Sequence, residues 1–110
     1  MILTFADKKL EKMAADYDLC CRKMGSLRAK ILFQRIYTLN RVNSWEDLQH
    51  LPGRVHQLSG DRKGQWAMDL DHPYRLIFRP AENQVSIHEH GRYKLSKISS
   101  VEILEITDYH

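Results

Sequence analysis

Apolar residues recur at helical spacing through the first half of the chain and at alternate positions through the second, with the change near Pro52-Gly53. Leu10, Met13, Ala14 and Tyr17 fall on one face of a helix predicted over residues 5–17. Leu27, Ile31, Ile36 and Leu39, with Leu32 and Phe33 beside them, predict a second helix over residues 26–40 with Ser26 as its N-cap. Ser44-Trp45-Glu46-Asp47 has the form of a capping box opening one further helical turn, which Pro52 ends.

Beyond Pro52 the period approaches two. Residues 54–59 are a candidate strand, Gly60-Asp61-Arg62-Lys63-Gly64 is a glycine-bounded loop, and residues 65–70 carry Trp66, Met68 and Leu70 on one face. Asp71-His72-Pro73 makes the next turn. In residues 74–79, Tyr74, Leu76 and Phe78 alternate with Arg75, Ile77 and Arg79, so Arg75 and Arg79 share the polar face. The polar stretch 81–100 is too long for a hairpin turn and reads as a connection, or as one containing a short strand around 85–88. Val101, Ile103, Leu104 and Ile106 make residues 101–107 a central strand expected to be buried on both faces, with Asp108-Tyr109-His110 following at the rim of the sheet. Helices followed by strands predict an α+β fold: a small antiparallel sheet of about four strands with two to three N-terminal helices packed on it.

A chain of 110 residues has room for one hydrophobic core, so a single domain over 1–110 is expected. Its formal charge of +3 suits a polyanionic partner and equally suits solubility alone. The cations are spread: nine Lys/Arg against six Asp/Glu in residues 1–53, eight against five in 54–97, none against three in 98–110. A polyanion site would have to be assembled by folding. Cys20 and Cys21 are adjacent, a poor geometry for a disulfide, and read as free thiols of a reducing compartment. The first residues lack the basic-then-apolar form of a signal peptide and no stretch has membrane-span length, so a cytoplasmic location is expected, with no membrane partner.

The sequence contains no Walker A loop, Gly-x-Gly-x-x-Gly, Gly-x-Ser-x-Gly or His-Glu-x-x-His, which leaves nucleotide binding, hydride transfer and serine hydrolysis without support. His88-Glu89-His90 would put two imidazoles on one face of a strand but lacks a third ligand, so no metal site and no cofactor is expected. The remaining groups suit metal-free cleavage of RNA, where the ribose 2′-hydroxyl attacks the adjacent phosphate. That reaction needs a base, an acid for the leaving 5′-oxygen, and cations for the charge on phosphorus. His56, Asp108, Tyr109 and His110 supply acid–base groups, and Arg62, Lys63, Arg75 and Arg79 supply cations. The same residues also fit a surface histidine and a solvated chain end.

The run Leu58-Ser59-Gly60-Asp61-Arg62-Lys63-Gly64-Gln65-Trp66, then Tyr74-Arg75-Leu76-Ile77-Phe78, and the apolar 101–107 stretch followed by Asp108-Tyr109-His110, resembles the HigB branch of the RelE/ParE toxin superfamily. The resemblance lies mainly in residues 51–110. It implies a RelE/ParE-like fold and the toxin of a type II toxin–antitoxin system, a ribosome-dependent endoribonuclease (mRNA interferase) that inhibits translation. It also implies a helix-turn-helix antitoxin, the ribosome and mRNA as partners. Carried over by position, His56, Asp108, Tyr109 and His110 match the catalytic set, Arg75 matches a phosphate-contacting arginine, and Arg62 lies in a hairpin that members keep basic.

Ser59 departs from the lysine common in members, leaving one cation fewer, with Lys63 beside it. Trp66 shares a face with Met68 and Leu70 and reads as a core anchor, Asp61 beside Gly60 as a turn residue, and Tyr109 either closes the sheet or stacks on a base. Arg92, Lys94 and Lys97 in the long connection face ribosomal RNA, the antitoxin or solvent. Two alternatives to the ribonuclease remain at this point: a ParE-like gyrase poison, which needs no acid–base set, and a degenerate binding-only homologue.

Overall fold

A computed structural model describes residues 1–81 and 99–108. The elements run β1 (Ile2–Phe5), α1 (Lys8–Ala15), α2 (Tyr17–Met24), α3 (Ser26–Arg41), a 3-10 turn (Trp45–His50), β2 (His56–Gln57), a second 3-10 turn (Gly60–Arg62), β3 (Trp66–Asp69), β4 (Arg75–Pro80) and β5 (Ser100–Thr107). The α+β arrangement expected from the sequence is the observed one.

The stretch predicted as one helix over residues 5–17 holds the end of β1, the whole of α1 and the start of α2. Phe5 belongs to β1. Asp7 caps α1 by accepting from Lys9 N at 2.8 Å, and Asp16, in an extended conformation, ends α1 and caps α2 by accepting from Leu19 N at 3.1 Å. A short aspartate side chain that satisfies a free amide at a helix start competes well with continuing the helix, and that competition decides the break. The helix predicted from Ser26 is present, but its N-cap is Gly25, at φ +89, a conformation that costs glycine little. Gly25 N donates to Cys21 O and its carbonyl accepts from Ala29 N, so one residue closes α2 and opens α3. Cys20 and Cys21 are free thiols, Cys20 buried in the core.

The sheet has five strands in the order β1-β5-β4-β3-β2 and is mixed, where a four-stranded antiparallel sheet was expected. The fifth strand is β1, which pairs parallel to β5 with Ile2 opposite Ser100 and Phe5 opposite Ile103. All other pairings are antiparallel.

Alternation places the core as the pattern predicts. Trp66, Met68, Leu76 and Phe78 face the helices and pack with Leu10, Leu32, Leu39 and Leu48. Trp45 lies 5.5 Å from Trp66 and 5.6 Å from Phe78 between ring centroids, which fixes the first 3-10 turn against the sheet and makes Trp66 a core anchor. Burying each such leucine or phenylalanine contributes roughly 1.5–3 kcal/mol. β5 is interior by pairing but is buried on one face only. Ile77 opposes Glu105 and Phe78 opposes Ile103, so Leu104 is an extra residue in a bulge and both Leu104 and the exposed Glu105 turn outwards. Among the described residues, no helix is long and apolar enough to cross a membrane.

Candidate active site

The outer face of the sheet carries three of the residues predicted to act, His56, Arg75 and Arg79. Because cross-strand partners share a face, the register orders them in rows. One row runs Asp69, Arg75, Thr107; the next runs His56, Ala67, Ile77, Glu105; a third pairs Arg79 with Glu102. The floor is a small apolar cluster of Leu58, Ala67 and Ile77 with Leu104 against it.

His56 is partly buried, and its Nδ1 lies 2.7 Å from the carbonyl oxygen of Arg54. A carbonyl only accepts, so Nδ1 carries the hydrogen and donates. In the neutral ring that leaves the lone pair on Nε2, the nitrogen then available as a base. Arg54 itself has φ +54, uncommon for a residue with a side chain. Its guanidinium is held by two bonds to one carboxylate: Nε to Asp69 Oδ2 at 2.8 Å and the terminal nitrogen to Oδ1 at 3.2 Å. Arg75 Nε reaches the same Asp69 carboxylate at 3.4 Å.

Asp69 is fixed from both sides. Its amide donates to Gly53 O at 2.7 Å, and its carbonyl accepts from Arg35 Nε of α3 at 3.0 Å. A Cβ at Gly53 would stand 2.7 Å from that Arg35 Nε, and φ there is +100, so the close approach requires glycine. Arg28, two turns earlier on α3, binds Asp71 at 3.0 Å and lies over the Tyr74 ring at 3.5 Å, pinning the turn between β3 and β4. The Arg54 guanidinium bonded to its carboxylate, with the charges of Arg54, Arg75 and His56, lowers the Asp69 pKa below the ordinary 3.8 against the opposing effect of partial burial. The same bond raises the Arg54 pKa.

The other predicted cations are engaged too. Arg79 Nε lies 2.7 Å from Glu102 Oε1; Arg62 reaches Glu105 at 3.0 Å and Gln65 Oε1 at 3.0 Å. Lys63, Ser59 and Asp61 are exposed at the β2–β3 turn. The fold therefore brings His56, Arg75 and Arg79 onto one face and sets Arg62 at its edge. Asp108 directly follows Thr107, whose partner is Arg75. Tyr109 and His110 lie outside the described residues, as do Arg92, Lys94, Lys97 and the His88-Glu89-His90 run. Among the described residues, no group of three His, Cys, Asp or Glu side chains could hold a metal ion.

Sequence reasoning missed Asp69 and Arg54. The alternation of Trp66, Met68 and Leu70 already put Asp69 on the outer face, and pairing the two strands across Asp71-His72-Pro73 would have set it opposite Arg75. For Arg54, whose contribution depends on a positive φ, the only hint is Gly53 beside it.

A family model described as the RelE-like toxin HigB of type II toxin–antitoxin systems matches residues 3–90. Toxin HigB-1 of Vibrio cholerae serotype O1 is 35% identical over 80 residues, covering 72% of this chain and 83% of that protein. Dedicator of cytokinesis protein 7 of Mus musculus and of Homo sapiens is 32% identical over 60 residues, 54% of this chain; the chain spans 3% of the length of those two relatives. In fold the chain is similar to the YoeB-YefM complex from Staphylococcus aureus, with TM-score 0.58, 15% identity and coverage of 100% and 97%. It is likewise similar to the YoeB/ParE toxin from Agrobacterium tumefaciens, with TM-score 0.59, 15% identity and both chains fully covered. The chain belongs to the HigB-like family of RelE-like toxins of type II toxin–antitoxin systems.

Proposed function

We propose that this toxin is an mRNA endoribonuclease acting on the ribosome and that the outer face of its sheet receives the RNA. The observation that supports this most is the 2.7 Å bond from His56 Nδ1 to Arg54 O, which leaves Nε2 with its lone pair on the face that also carries Arg75 and Arg79. His56 Nε2 takes the proton of a ribose 2′-hydroxyl as the 2′-oxygen forms its bond to phosphorus. The bond to the 5′-oxygen breaks, and His110 gives that oxygen a proton, leaving a cyclic phosphate and a 5′-hydroxyl. Asp108 orients a histidine, Tyr109 stacks on a base, and Arg75, Arg79, Arg62 and Lys63 bind phosphates. None of these roles requires a metal or a small-molecule cofactor. The partner that restrains the toxin is a helix-turn-helix antitoxin, and both act in the cytoplasm.

Primer extension on mRNA bound to stalled ribosomes tests the reading. The intact chain should produce discrete stops, and His56→Ala and His110→Ala should each lower their rate of appearance by at least about 100-fold while remaining folded. Intact mRNA alongside DNA-cleavage complexes in inhibited cells would mean that gyrase is the target.

A further inference from the structure

We infer that Asp69 is the positioning residue of the His56 base, acting through Arg54. The chain of contacts is continuous. Asp69 is anchored through its backbone to Gly53 and Arg35, so its carboxylate has little freedom. That carboxylate holds the Arg54 guanidinium at two points, 2.8 and 3.2 Å. Arg54 sits at φ +54, a region from which a residue with a side chain relaxes unless something retains it, and its carbonyl is the group 2.7 Å from His56 Nδ1. Release of the guanidinium frees the Arg54 peptide to rotate and withdraws the acceptor from Nδ1. The histidine ring then loses what selects the Nδ1–H tautomer, and Nε2 is no longer held as the unprotonated nitrogen. The same carboxylate lies 3.4 Å from Arg75 Nε, so one side chain sets both the base and a neighbouring cation.

The catalytic importance of this tautomer rests on the proposed ribonuclease reading, but the tautomer itself does not. It is read directly from the ¹⁵N shifts of the His56 ring in the intact protein and in Asp69→Ala, at a pH where the ring is neutral. The intact chain should show His56 as the Nδ1–H form, and Asp69→Ala should shift the population several-fold towards Nε2–H with amide dispersion preserved. Arg54→Met, at a side chain 62% exposed, should do the same and carries the test if Asp69→Ala does not fold. A folded variant of either kind with the tautomer ratio of the intact chain would overturn the proposal, as would an intact chain already in the Nε2–H form. If the tautomer shifts as expected while the intact chain cuts no RNA on ribosomes, the positioning role stands and the ribonuclease reading falls.

Discussion

On the inner face of β3 and β4, Trp66, Met68, Leu76 and Phe78 meet Trp45 and the leucines of α3 in a close-packed layer, whereas on the outer face Asp69, Arg75 and Arg79 stand around a small apolar floor. The two faces belong to the same two short strands. One is held by shape and the other by charge pairs that stay in contact with water. Packing of the first kind is strong and tolerates little change, while exposed ion pairs contribute only about 0–1 kcal/mol each and exchange partners readily. The ion pairs of the outer face can therefore change partners without disturbing the core behind them.

Neighbouring positions on β4 give the largest test. Phe78→Ala, at a fully buried ring, should lower unfolding free energy by about 3–5 kcal/mol, and Arg79→Ala, one residue on, by about 1 kcal/mol or less. Equal losses in denaturant titrations would erase the contrast between faces. A smaller effect sharpens the outer side: Arg75→Ala should weaken binding to a single-stranded oligoribonucleotide and reduce the slope of log affinity against log salt by about 0.7. An unchanged slope would take Arg75 out of the phosphate contacts.

The smallest expected effect is on acid stability. The folded Asp69 pKa lies below its ordinary 3.8, so the unfolded chain takes up the proton first. The contribution of Asp69 is therefore complete above the unfolded value and is lost as pH falls from about 4 through the folded value. In Asp69→Asn that part of the decline should be missing, measured by denaturant unfolding at a series of acid pH values. Parallel curves for the two proteins would show that the pairing with Arg54 and Arg75 adds nothing to stability.

How far the sequence could be read follows the same division. The inner face announces itself, because Trp66, Met68, Leu76 and Phe78 keep a strict period of two that no other arrangement explains. Ser26 to Arg41 likewise carries its apolar stripe in full view. β1 was illegible for a physical reason: four residues, Ile2 to Phe5, are too few to display a period, and their pairing with β5 is purely non-local. The site was half legible. His56 and Arg75 can be named from residue type and resemblance, but what Asp69 does depends on a two-point bond to a side chain fifteen positions away and on the positive φ of Arg54, neither of which leaves a trace in composition or spacing.

The parallel pairing of β1 with β5 also has a kinetic side. Ile2 meets Ser100 across 98 positions of chain, so closing this part of the sheet means paying loop-closure entropy before the contact returns any energy. The strand that carries Thr107 and Asp108 to Arg75 is the same strand that must wait for this closure. In a refolding time course, helix formation should therefore run ahead of the assembly of the outer face, and the candidate site should form as the last event of folding rather than as an early one.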